Sequence, residues 1–164
     1  KDGRLVLAAD GRGTNFLAAV LARSTTAPDY EATTVIETNT LKPGVAAGLC
    51  VIGDVDNALG AALQDGRIIT WRRDRGVMQQ LSQQSAPDAP KIYLRLIAHH
   101  GYNFQFAASA DGGKWVSCGD AVDAKDLPPW DRGVRVALTA GGVAGAAGTF
   151  DSFSIQPVEA TAKK

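Results

Sequence analysis

The sequence predicts an all-β protein, a two-sheet antiparallel β-sandwich, and three observations predict it. Ile92, Leu94 and Leu96 alternate with Tyr93, Arg95 and Ile97, and beyond His100-Gly101 the residues Tyr102, Phe104 and Phe106 alternate with Asn103, Gln105 and Ala107. Period-2 alternation sends one set of side chains into a core and the other to the opposite face. Turn residues punctuate the chain at intervals of about eight to twelve residues, the spacing of a sandwich or jelly roll. No stretch carries the longer apolar period of an extended amphipathic helix. With 164 residues, one domain is expected over 1–157, followed by a tail or linker at 158–164. A chain of this size buries roughly 70% of its unfolded surface, so folding requires no metal or disulfide framework.

Taken in order, residues 4–9 (RLVLAA) form a first short strand closed by Asp10-Gly11-Arg12-Gly13. Residues 16–22 (FLAAVLA) are apolar without a decisive period and are read as a strand because their surroundings are β. Residues 30–40 are dense in β-branched residues, Pro43-Gly44 makes a turn, and VAAGLCVIG is the next strand. Asp54-Val55-Asp56-Asn57 is a polar turn, and Asp65-Gly66 between two strand-like runs is a strong hairpin signal. A polar strand near 77–84 leads into the short Pro-rich connection 85–90, then the hairpin of 90–107. A strand at KWVSCG, the strand GVRVALTA, a Gly/Ala-rich loop and the final strand TFDSFSI complete the set, and Pro157 ends the fold.

Composition excludes several function classes. The 17 basic and 17 acidic side chains cancel, so no global field draws the chain to nucleic acid or an anionic membrane. No apolar run is long enough to span a bilayer as a helix. The N-terminus lacks a basic-apolar-cleavage pattern, so no signal peptide is expected, and the start at Lys1 points to a mature or excised piece of something longer. Cys50 and Cys118 lie far apart, each in an expected strand. They read as buried thiols, with a single inter-strand disulfide as the alternative.

The constellations that carry catalysis are missing. His99 and His100 are adjacent at a hairpin end, where neighbours point to opposite faces and cannot share a metal or a substrate. The acids Asp54, Asp56, Asp65, Asp111, Asp120, Asp123 and Asp126 sit in turns, where turn chemistry explains them. Glu31 and Glu37 share a strand but lie about 20 Å apart along it, too far for a glycosidase carboxylate pair. The glycine-rich stretch GGVAGAAG is followed by a strand and by no lysine-serine, so it is no phosphate loop. Asp151 differs from the turn acids. It lies inside the last strand, where a carboxylate is costly unless paired, exposed or metal-bound.

Several pieces together carry a family likeness: Leu94-Arg95-Leu96, Gly101-Tyr102-Asn103-Phe104 and Ser109-x-Asp111-Gly112-x-x-Trp115. Glu31-Ala32-Thr33-Thr34, Ala47-Gly48-Leu49 and Asp56-Asn57 precede them, and Pro128-Pro129-Trp130, Gly133-Val134-Arg135-Val136 and Phe150-Asp151-Ser152-Phe153 follow. In this order, over roughly residues 28–156, they resemble the concanavalin A-like domains that follow the catalytic domain in bacterial β-xylosidase-type glycosidases. The resemblance implies a jelly roll, an accessory role without catalysis, and a catalytic domain of the same parent chain as partner. It also implies a structural calcium near the terminal strands, with Asp151 as the candidate ligand, and a secreted, extracellular or periplasmic setting.

Alternation also nominates a ligand face. With Leu94, Leu96, Phe104 and Phe106 inward, Tyr93, Arg95, Asn103 and Gln105 point the other way. On the Asp65 hairpin, Leu59, Ala61, Leu63, Ile69 and Trp71 are assigned to the core, leaving Gln64, Thr70 and Arg72 on the opposite face. Amides and guanidinium groups hydrogen-bond hydroxyls and aromatic faces stack on sugar C–H groups, so this set suits a poly- or oligosaccharide. A solvated sheet face looks the same in sequence. Trp130, in a loop after two prolines, reads either as a stacking platform or as a cap on a core edge, whereas Trp115 is assigned to the core. Two functional readings follow: a carbohydrate-binding accessory module, and a structural domain that packs on a catalytic partner with no ligand of its own.

Overall fold

The computed structural model describes residues 3–10, 14–127 and 134–158. Its strands are β1 (Leu5–Ala8), β2 (Ala19–Ser24), β3 (Tyr30–Glu37), β4 (Ala46–Asp54), β5 (Asn57–Gln64), β6 (Arg67–Asp74) and β7 (Val77–Ser85). They continue with β8 (Lys91–His99), β9 (Asn103–Ser109), β10 (Val116–Ser117), β11 (Val122–Asp123), β12 (Arg135–Gly141) and β13 (Ala147–Pro157). The first sheet runs β1-β13-β3-β8-β9-β10, with β11 also beside β9, and the second runs β2-β12-β4-β5-β6-β7. The pairs are antiparallel, so the sequence expectation of a two-sheet antiparallel sandwich holds.

The hairpin of β8 and β9 sets the first sheet. Burial along β8 alternates strictly, with Ile92, Leu94, Leu96 and Ala98 inside. Phe104 and Phe106 project the same way from β9. These side chains meet Leu49, Val51, Leu59, Leu63, Ile68, Val136 and Leu138 of the second sheet in one core. Asp65-Gly66 and Arg75-Gly76 close their hairpins with both residues at positive φ (47° and 71°, 49° and 81°). That geometry matches the twist of the flanking strands, so the Asp-Gly signal was well placed.

The second sheet is apolar on both faces. Its outer face carries a separate cluster of Ala46, Cys50, Ile52, Ala58, Ala62, Ile69, Trp71 and Ala137, against which Phe16, Leu17, Ala22 and Met78 pack. The Phe16 ring stands edge-on to Trp71 at 5.8 Å and 82°. This corrects two expectations. Phe16 to Ala18 form a covering turn, and the strand begins only at Ala19. The assignment of Leu59, Ala61, Leu63, Ile69 and Trp71 to one face also fails. The register pairs Leu59 with Arg72, Ala61 with Thr70 and Leu63 with Ile68, so Ile69 and Trp71 lie on the other side. A strand buried on both faces reads as a continuous apolar run and gives alternation nothing to act on.

Trp71 lies across Gly60, where an added Cβ would stand 2.6 Å from Cys50 Cβ and 2.7 Å from Trp71 Cζ2. Gly60→Ala is expected to cost about 1–3 kcal/mol by overpacking, read as a lower urea midpoint at unchanged slope.

Cys50 sits in the outer cluster and Cys118 in the inner core, both buried and both free thiols. Burial raises both thiols above their ordinary range, Cys118 to about 11. A thiol reagent at neutral pH should therefore find neither in the native protein and both after denaturation. Fast titration of either one under native conditions would contradict this burial.

Candidate functional site

The outer face of the first sheet gathers polar side chains from four strands. Thr33 of β3 stands opposite Arg95 of β8, and Ser154 and Gln156 of β13 stand opposite Thr33 and Glu31. Tyr93, Asn103 and Gln105 complete the row, on the side away from the buried Leu94, Leu96, Phe104 and Phe106. The four residues nominated from the 90–107 hairpin thus share one face.

Arg95 is the centre of that face. Its Nη1 lies 3.6 Å from Glu31 Oε2, and its Cζ lies 4.1 Å from the centroid of the Trp115 ring. Trp115 reaches this position through the turn after β9. Asp111 Oδ1 accepts hydrogen bonds from Gly113 N (2.8 Å), Lys114 N (2.9 Å) and Ser109 Oγ (3.0 Å). These donors, the Lys114 N–H first, hold the Asp111 carboxyl below its usual range. Gly112 adopts φ 73° and lies flat on the Tyr93 ring, where a Cβ would stand 3.1 Å from Cε1. The turn therefore folds back over Tyr93 and lays the indole on the Arg95 guanidinium, a cation–π pair that fixes both planes. Trp115 is half-buried on the outer face, so its assignment to the core was wrong. Its parity with Ser117, which faces outward and accepts from Gln105 Nε2 at 3.4 Å, was the signal that would have placed it.

Beside the Arg95–Glu31 pair lies a shallow hollow of about 350 Å³ lined by Glu31, Thr33, Ser154, Gln156, Pro157 and Val158. A carboxylate, two hydroxyls and an amide line it, a donor and acceptor set matched to hydroxyl groups. A larger cavity of about 440 Å³ opens at one end of the sandwich, over Leu63 and Ile92 and between the 38–43, 65–66 and 86–89 turns. Among the described residues, none of those nominated lines it.

The other nominees lie elsewhere. Arg72 shares the inner side of the second sheet with Leu59 and reaches the Asp126 carboxylate at 2.8 and 2.9 Å, holding that carboxyl below its usual range. Gln64 pairs with Arg67 near the end of β5 and donates from Nε2 to Gly44 O at 2.7 Å. Both tie loops to the sheet, and neither faces Arg95. Trp130 lies outside the described residues. His99 and His100 are exposed at the hairpin end, where His99 Nδ1 stands 3.8 Å from Asp29 Oδ1.

Asp151 occupies a bulge of β13 between Phe150 and Ser152. Its Oδ2 takes Lys91 Nζ at 2.7 Å and its Oδ1 faces Arg4 Nε at 3.7 Å. The same two cations hold the buried Glu37, at 3.1 Å from Arg4 and 3.6 Å from Lys91. Two acids matched by two bases leave no net charge for a divalent ion, and among the described residues no group of three His, Cys, Asp or Glu could hold one. Asp151 does not fit a calcium ligand here.

The hydrogen bond with Lys91 draws the Asp151 carboxyl below its usual range and raises the Lys91 ammonium above its own. A depressed carboxyl stabilises above its unfolded pKa and stops doing so as pH falls through the folded one. A raised ammonium stabilises below its unfolded pKa and stops as pH rises through the folded one. The melting-temperature difference between wild type and Asp151→Asn should be flat from about pH 5 to 9 and shrink on either side. A difference that grows in acid would contradict the pairing.

These features can be set against known proteins. The model of the β-xylosidase C-terminal concanavalin A-like domain matches residues 3–156. The chain belongs to that family. Among solved structures, the bifunctional GH43-CE protein of Bacteroides eggerthii superposes with a TM-score of 0.78 at 20% identity, over 98% of this chain and 22% of that one. The xylan β-1,4-xylosidase of Bacillus halodurans gives 0.72 at 18% identity, over 93% of this chain and 32% of that one. A Saccharomyces cerevisiae protein of unknown function gives 0.70 at 17% identity, over 98% of this chain and 91% of that one. At these identities the likeness is one of fold. The chain spans less than a third of either bacterial protein, whereas the yeast protein is almost wholly this fold. No curated protein sequence matches the chain significantly. Members of the β-xylosidase C-terminal family are, by its description, one domain of a longer glycosidase, and an accessory role is the one that description supports.

Proposed function

We propose that this domain is a non-catalytic accessory module of a larger glycan-active chain and binds a carbohydrate chain across the outer face of its first sheet. The observation that carries the reading is Trp115 laid on Arg95 beside a hollow of hydroxyl, amide and carboxylate groups. A fixed indole offers an apolar plane for sugar C–H groups, and the hollow offers partners for sugar hydroxyls. The hollow on β13 and β3 and the platform over β8 are about two strand spacings apart, roughly 10 Å, so the ligand is a short oligosaccharide lying across the strands. Glu31 and Glu37 are engaged with Arg95 and with the Arg4–Lys91 pair, which supports a role without hydrolysis. The reading carries an extracellular or periplasmic location, where polymeric glycans are met.

Affinity electrophoresis through gels holding xylan, arabinan, cellulose derivatives or β-glucans tests it. Retardation in at least one gel, lost in Trp115→Ala with an unchanged circular dichroism spectrum, is the expected result. Free migration of the wild type through all of them would sink it. That outcome leaves the second reading, a structural domain with no ligand of its own, which draws on Arg95 being paired and stacked within the chain already.

A further inference from the structure

The hollow on the outer face continues past the edge of its sheet. β1 pairs with β13 only over Ala147–Phe150. Beyond Asp151, the side of β13 turned away from β3 has no strand paired to it among the described residues. Two further hollows open there. One, of about 150 Å³, is lined by Ser24, Thr25, Thr26, Tyr30 and Pro157, together with Arg23. The next, of about 220 Å³, shares Ser24, Thr25 and Tyr30 with it and reaches Gly101. Pro157 also lines the outer-face hollow beside Glu31 and Thr33. The three form one course, from the outer face of the first sheet, over the end of β13, to the turn between β2 and β3.

The walls of this course are fixed and its polar groups are uncommitted. Pro28 O accepts from Gly101 N at 2.8 Å, Asp29 Oδ1 from His100 N at 2.9 Å and Asp29 O from Val158 N at 3.1 Å. A site held in shape before its ligand arrives avoids much of the ordering cost of binding. Tyr30 is 3% exposed and lines both flank hollows, yet its hydroxyl makes no hydrogen bond among the described residues. Burial holds the phenol well above its usual range, so the O–H stays neutral and can both donate and accept. Arg23 stands opposite Val136, on the side of β2 turned toward the first sheet. It is exposed and has no ion pair or side-chain hydrogen bond among the described residues. Pro157 bears on what kind of chain crosses the ridge. Without an N–H it blunts the strand edge against a pairing peptide, while its exposed ring offers an apolar surface to sugar C–H groups.

We infer that the flank hollows are further subsites for the same saccharide, so that the domain binds an extended glycan running from Trp115 across the first sheet and over Pro157 to the 24–28 turn. The inference rests on the carbohydrate-binding reading and adds to it the length of the ligand and the residues that measure that length. The outer-face contacts span about 10 Å. Passing the edge of β13 toward the second sheet adds about another 10 Å, the usual separation of packed sheets. A short oligosaccharide fills the outer-face sites alone, and a longer one reaches Tyr30, Arg23 and the hydroxyls of Ser24 to Thr26.

Isothermal titration of this chain with xylo-, arabino- and cello-oligosaccharides of increasing length tests the assignment. In the series that binds, affinity should rise with length in two stages, the second raising it about ten-fold. Arg23→Ala and Tyr30→Phe should each reduce or remove the second stage and leave the affinity for the short members unchanged. Tyr30→Phe keeps the buried ring, and melting within a few degrees of wild type shows that a contact has been lost and the packing kept. Trp115→Ala should weaken short and long members alike. An affinity that levels off at the shortest bound length would overturn the inference and leave the outer-face reading standing. So would Arg23 and Tyr30 variants that bind every length as wild type does, or that weaken short and long members equally. Binding of no member at any length would overturn both readings together.

Discussion

Phe104→Ala should cost about 3–5 kcal/mol of folding stability, the usual toll for emptying a fully buried aromatic site. Phe104 is completely buried on β9, opposite Ala98 of β8 on one side and Val122 of β11 on the other. Ladder partners on both sides fix the backbone around it, so the cavity has little room to collapse. Against a typical domain stability of about 5–15 kcal/mol, the loss would move the urea midpoint by a large fraction of its value. The neighbour Gln105 supplies the control. It is one residue away but faces outward, and Gln105→Ala should stay within about 0.5 kcal/mol. Equal losses at the two positions would show that the hairpin's alternation does not divide core from surface.

Trp115→Ala should weaken carbohydrate binding about ten-fold or more while leaving the fold in place. An aromatic contact contributes roughly 0.5–1.5 kcal/mol beyond the area it buries, and the indole is the largest apolar plane on the face. The change also releases Arg95 from the indole, leaving its guanidinium the 3.6 Å contact with Glu31. Arg95→Ala should have a smaller effect, because it loosens the platform without removing it, and Trp115→Phe should fall between wild type and Trp115→Ala. An affinity unchanged by Trp115→Ala would move the ligand off this platform, whatever the protein binds.

The sandwich was legible wherever one face of a strand is buried and the other is not. β8 and β9 satisfy that condition, so Tyr93, Arg95, Asn103 and Gln105 were placed together on one face. β5 and β6 do not satisfy it, because the turn at Phe16 covers the outer side of the second sheet. Their apolar runs gave no parity, and Arg72 and Gln64 were assigned to a face neither shares with Arg95. Trp115 was missed for a different reason. Its position depends on the Asp111 turn and the positive φ of Gly112, a fold-back that places an aromatic residue on a surface where composition alone predicts a core. Asp151 was recognised as exceptional in a strand, but its partners Arg4 and Lys91 come from two other segments and are shared with Glu37. Nothing local in the sequence brings them together.

The most direct measurement is an amide chemical-shift titration of the folded domain with whichever oligosaccharide corresponds to the best-retarding gel. Carbohydrate binding on the Arg95 face predicts shifts concentrated at Glu31, Thr33, Arg95, Gln105, Ser154 and Gln156 and at the Trp115 indole N–H. Shifts confined to the 38–43, 65–66 and 86–89 turns around the end cavity, with the Arg95 face silent, would contradict it.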